Sequence, residues 1–149
     1  MKAKQQGFTL VELVVVIVIL GILAAVAIPR YAGFTKEARI AALNGLAGAI
    51  RSSVMVVQGR YIAQNLGTSP VTMLDGITVD VATGATTGGL PLSTANGIDH
   101  AVTIGGFAYT ADAAVGTFDF SPTVVTGCNV TYTAATGIAA VVNTGGTSC

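Results

Sequence analysis

The segment GFTLVELVVVIVILGILAAVAIPR, residues 7–30, constrains the chain more than any other feature. From Phe8 to Ile28 the one charged side chain is Glu12. As a helix that run would be about 31 Å long, close to the hydrocarbon thickness of a bilayer. No polar face appears at helical spacing, and a helix apolar all round belongs in lipid or inside a protein core. A carboxylate near the start of such a run needs a reason.

A secretory signal is one competing reading. Lys2 and Lys4 would be its basic start and Ala25-Val26-Ala27 its cleavage site, releasing a soluble secreted domain. Its apolar region would normally be about 7–15 residues, shorter than this one. A plain transmembrane anchor is the second reading. An acidic residue costs roughly 2.5–3.5 kcal/mol at the centre of a span and less near an end, so Glu12 could simply be tolerated. Basic residues flank the span on both sides (Lys2 and Lys4, then Arg30, Lys36 and Arg39), so the charge rule does not fix its orientation.

Composition separates the rest of the chain from this segment. Charged residues make up 9% of the 149 residues, against a usual share of about a quarter. All seven Lys and Arg lie at or before Arg60; beyond it the charged side chains are Asp75, Asp80, Asp99, Asp112 and Asp119. A surface for nucleic acid needs clustered cations, which the C-terminal part lacks. The same distribution leaves trypsin no site after Arg60. Two structurally different parts are expected.

The two cysteines, Cys128 and Cys149, form no C-x-x-C motif and have no histidine partner for a zinc site. Behind an N-terminal apolar segment they read as an exported disulfide, which puts the C-terminal part in an oxidising compartment. Closing a loop of about 20 residues would contribute about 3 kcal/mol. Two unrelated buried thiols are the alternative.

Gly7-Phe8-Thr9-Leu10-Val11-Glu12, the Val/Ile/Leu run behind it and Pro29 resemble the N-terminus of type IV pilins, and the leader MKAKQQG fits the same pattern. The resemblance implies that a prepilin peptidase cuts after Gly7 and N-methylates Phe8, leaving the apolar helix in place. It implies residence in the inner membrane, then assembly with identical subunits by pilus machinery into an extracellular filament. In that filament Glu12 would pair with the amine of Phe8 on a neighbouring subunit. A buried carboxylate needs such a partner, and the pair would fix the axial register of the helices. The stretch ALNGLAGAIRSSVMVVQGR and the terminal cysteine further resemble pilins of the mannose-sensitive haemagglutinin type. A major pseudopilin of a type II secretion system shares this N-terminus and is the alternative within the class; the cysteine pair favours a pilus.

Pro29 lacks an N–H and Gly21 loosens a helix, so a kink or local break is expected near them, with Gly33 a further weak point. The resemblance implies partial unwinding between such points in a filament; an ordinary proline kink is the other reading. Residues 36–65 then read as an amphipathic continuation. Leu43, Leu46, Ala47, Ile50, Val54, Val57 and Tyr61 make one apolar stripe, while Arg39, Asn44, Arg51 and Ser52 lie mostly off it. Later segments alternate as strands: 77–82, 101–110, 116–121, 128–134 and 137–142, with AATG as a hairpin turn. GTSPVTMLDG and TGATTGGLPLSTANG read as loops.

The expected fold is α+β, a long helix packed on a small antiparallel sheet. Its expected parts are a leader at 1–7, a membrane and filament-core helix at 8–28, its amphipathic continuation at 29–66, and at 67–149 a loop region with a sheet and a C-terminal disulfide loop.

Chemistry is sparse. His100, beside Asp99, has no nucleophile elbow near it and reads as a surface loop residue. TGATTGG lacks the G-K-[ST] ending of a phosphate loop. The aspartates have no EF-hand spacing, although some could meet around calcium in the fold. Asn129-Val130-Thr131 is a formal glycosylation sequon. The aromatics Phe8, Tyr31, Phe34 and Tyr61 are too sparse for a conduction path and read as packing groups. No enzymatic activity, cofactor or metal is expected.

Overall fold

The computed structural model describes residues 8–31, 34–64, 67–84, 86–144, 146 and 149. Backbone contacts divide the chain into two units, residues 1–35 and 36–149.

The first unit is helix α1, Leu10–Tyr31. None of its residues is buried, as expected for a segment whose apolar side chains face every direction. The helix runs through Gly21 and Pro29 as far as Tyr31; Gly33 lies outside the described residues. Pro29 has no N–H to donate to the carbonyl one turn earlier, yet the helical path continues past it.

Helix α2, Phe34–Ala63, supplies one face of the core. Leu43, Leu46, Ala47, Ile50, Val54 and Val57 are its buried residues, the stripe expected from their spacing, and Tyr61 is half-buried. Against the stripe lies a four-stranded antiparallel sheet in the order β3-β4-β5-β6: Phe107–Thr110, Val115–Phe120, Cys128–Thr133 and Ile138–Asn143. Cys128, Val130 and Tyr132 point into the core with Phe118 and Ala139, and Asn129, Thr131 and Thr133 point away. Each large apolar side chain buried there contributes about 1.5–3 kcal/mol.

The β5–β6 hairpin turns through 134–137, with Thr133 opposite Ile138. Gly137 has φ 68°, a left-handed conformation that favours glycine, and a Cβ there would press on the end of the Leu90 side chain at 2.8 Å. Arg51 on α2 reaches the outer strand: its Nε and Nη2 donate to Ala139 O at 3.2 and 2.8 Å. That contact covers part of the sheet edge as well as joining helix to sheet.

The connecting region is more ordered than its turn-rich sequence suggests. The 77–82 strand expectation is met only at β2, Thr78–Val79, which pairs with β1, Val71–Thr72. Val81 instead makes a bridge with Pro91, flanked by Leu92 N donating to Asp80 O and Ala82 N to Leu90 O, both at 2.8 Å. Val71, Val79, Val81 and Val57 form a second small core. The expected strand at 101–104 is absent. Ala101 closes a short helix, α3 (Ile98–Ala101), because Ile98 is drawn into the main core and its amide bonds Leu92 O. His100 accordingly lies on this helix, exposed, rather than in a loop.

Candidate assembly site at the start of the apolar helix

Thr9 immediately precedes α1, and Glu12 is the third residue within it. The Thr9 amide and hydroxyl both donate to Glu12 Oε2 at 2.8 Å, and the Glu12 amide donates to Thr9 Oγ1 at 3.3 Å. This is a capping box, in which side chains satisfy amides that a helix start leaves without partners. Its signature in the sequence is T-x-x-E at Thr9–Glu12 before an apolar run. Glu12 thus has a function within its own chain.

The arrangement leaves Oε1 of Glu12 without a partner among the described residues. Around it Phe8, Val11, Val15 and Val16 line a hollow of about 560 Å³ in which Glu12 is the ionisable wall group. Phe8 itself is 93% exposed. A cation entering from outside would meet a carboxylate already fixed in direction, bordered by apolar surface that excludes water once covered. Gly7 lies outside the described residues.

The family described as "Prokaryotic N-terminal methylation motif" matches residues 2–28. The N-terminus is similar to that of type IV pilins. It is 47% identical over 64 residues to the type IV narrow pilus major component PilA5 of Thermus thermophilus, an alignment covering 42% of this chain and 53% of that protein. The type IV major fimbrial protein FimA of Dichelobacter nodosus is 35% identical over 79 residues, 51% of each chain. The type IV major pilin protein PilE1 of Neisseria gonorrhoeae is 48% identical over 54 residues, 36% of this chain and 33% of that one. This chain therefore spans about half the length of the first two relatives. No solved structure matches it. The pilin signal thus rests on the N-terminal helix, while the β-sheet part of the chain is described by its own geometry.

At the other end, Cys128 and Cys149 form a disulfide, with Cα atoms 5.6 Å apart and both residues buried. Lys36 Nζ donates to Gly146 O at 3.0 Å, holding the C-terminal loop against α2. Nothing in the sequence marked Lys36 or Arg51 for these contacts, since both reach carbonyls that any residue type would present.

The remaining polar groups hold turns. Asp112 Oδ1 accepts from the amides of Ala114 and Val115 at 3.0 and 3.3 Å, which keeps its carboxyl below the ordinary value. Tyr109 donates to Ser93 O at 2.8 Å; desolvation, then Asp99 and Asp112, push its phenol up to about 12. His100 Nδ1 lies 3.0 Å from Thr78 O, which occupies one ring nitrogen in tying α3 to β2.

Proposed function

We propose that this protein is the structural subunit of a type IV pilus-like extracellular filament, serving attachment, adhesion or motility. The observation that carries the reading is α1: an apolar helix with no buried residue that opens with the N-terminal methylation motif. Exposed apolar area on this scale must be taken up by lipid or by other copies.

In this reading the chain resides first in the inner membrane through 8–28, and prepilin peptidase removes residues 1–7 and methylates Phe8. Assembly machinery then moves the helix from lipid into a bundle of identical helices. There Oε1 of Glu12, which has no partner among the described residues, accepts the Phe8 amine of a neighbouring copy and sets the register. The capping box supports this role by fixing the carboxylate before the partner arrives. The helix between Gly21 and Pro29 adapts by local unwinding. The sheet, stapled by its disulfide, faces outward.

Intact-mass and N-terminal peptide analysis of sheared cell-surface material tests this reading. A chain beginning at N-methylated Phe8, with Cys128 bridged to Cys149, is the expected result. A chain beginning at Ile28 and free in the medium would replace the filament by a soluble secreted domain.

A further inference from the structure

An exposed knob stands on the sheet-bearing unit. The turn after β1 carries Leu74 at its tip, 89% exposed. The turn is rigid: Met73 N donates to Ile77 O at 2.8 Å, Gly76 N to Met73 O at 3.1 Å, and Ile77 N to Asp75 Oδ1 at 3.0 Å. A leucine held out in this way presents an apolar plug with the Asp75 carboxylate beside it, while Arg60 of α2 lines the other side of the same surface.

The complementary shape lies around the end of α1. Val26, Arg30, Tyr31 and Phe34 line a groove of about 490 Å³, with the Tyr31 and Phe34 rings 5.8 Å apart forming one wall. Arg30 has no hydrogen-bond or ion-pair partner among the described residues. Tyr31 and Phe34 are 67% and 61% exposed. The groove is thus apolar with a positive rim, complementary to the Asp75 side of the knob.

We infer that Leu74 of one copy seats in the Val26–Phe34 groove of a second copy, with Asp75 paired to Arg30. The inference rests on the filament reading and adds a contact to it. Knob and groove are different patches, so each copy can offer its knob to one neighbour and its groove to another; a heterologous contact of this kind that does not close into a ring extends as a fibre.

The test uses the full chain in its own cells, scoring sheared filaments against the membrane pool of subunit. Arg30→Asp and Asp75→Arg should each lower filament yield about tenfold or more with the pool unchanged, and the double exchange should restore it. Independently, Phe34→Cys combined with Leu74→Cys should give a ladder of disulfide-linked copies in filaments, absent from either single variant. Both positions are exposed, so the substitutions leave the fold intact. Filaments indifferent to the charge exchanges, a double exchange no better than the singles, or cysteines that link only to another protein would each overturn the contact alone. Wild-type cells that shed no filament at all would instead remove the filament reading, and this contact with it.

Discussion

Thr9 and Glu12 satisfy each other across the first turn of α1, the Thr9 amide and hydroxyl meeting one carboxylate oxygen while the other has no partner among the described residues. The two roles of Glu12, cap and docking charge, can therefore be separated. Gln at position 12 keeps an oxygen acceptor for the cap but has no charge. Thr9→Ala costs about 1 kcal/mol of capping but keeps the charge. Glu12→Gln should abolish filaments recovered by shearing, whereas Thr9→Ala should leave yields near wild type. Equal losses in both variants would make the cap itself the essential element.

The disulfide is expected to contribute about 3 kcal/mol. Cys128→Ser with Cys149→Ser should lower the denaturation midpoint of the detergent-solubilised chain accordingly, measured by circular dichroism. An unchanged midpoint would mean that Lys36 and the core already hold the C-terminal loop in place.

Tyr132 is fully buried, and its hydroxyl donates to Pro91 O at 2.7 Å, joining the sheet to the connecting region. Tyr132→Phe leaves that buried carbonyl without its donor. A loss of about 1–3 kcal/mol in urea denaturation is expected, larger than for a typical exposed tyrosine.

Stability should also fall at high pH. Tyr109 is pushed up to about 12 from its ordinary 10, and burial raises Tyr132 as well. Each phenol therefore keeps its proton in the folded state at pH values where the unfolded chain has lost it. Their contribution is complete below pH 10 and is lost as pH rises from there through the folded values. Alkaline unfolding followed by phenolate absorbance should show this, and Tyr109→Phe should flatten the dependence between pH 10 and 12.

Periodicity made the helices and the main sheet legible. The α2 stripe from Leu43 to Val57 and the alternation of Cys128, Val130 and Tyr132 are local patterns that depend only on which side of an element faces the core. The region from 77 to 104 was less legible. Alternation at 77–82 suggested a full strand, but the chain there pairs with two short partners in turn, β1 and then Pro91. Likewise 101–104 has strand-forming residues, yet burial of Ile98 bends the preceding segment into α3. Propensity yields where a tertiary contact is stronger.

The sequence by itself determined that residues 8–28 would be an apolar helix with one carboxylate. It also determined the pilin resemblance and the absence of Lys and Arg after Arg60, because these follow from residue identity and spacing alone. Tertiary structure decided which carbonyls Arg51 and Lys36 would bind, and that Leu74 would stand exposed on a rigid turn beside Asp75. Backbone carbonyls are alike in every sequence and a turn's direction depends on what packs beneath it. Those contacts exist only once the chain has folded around its core.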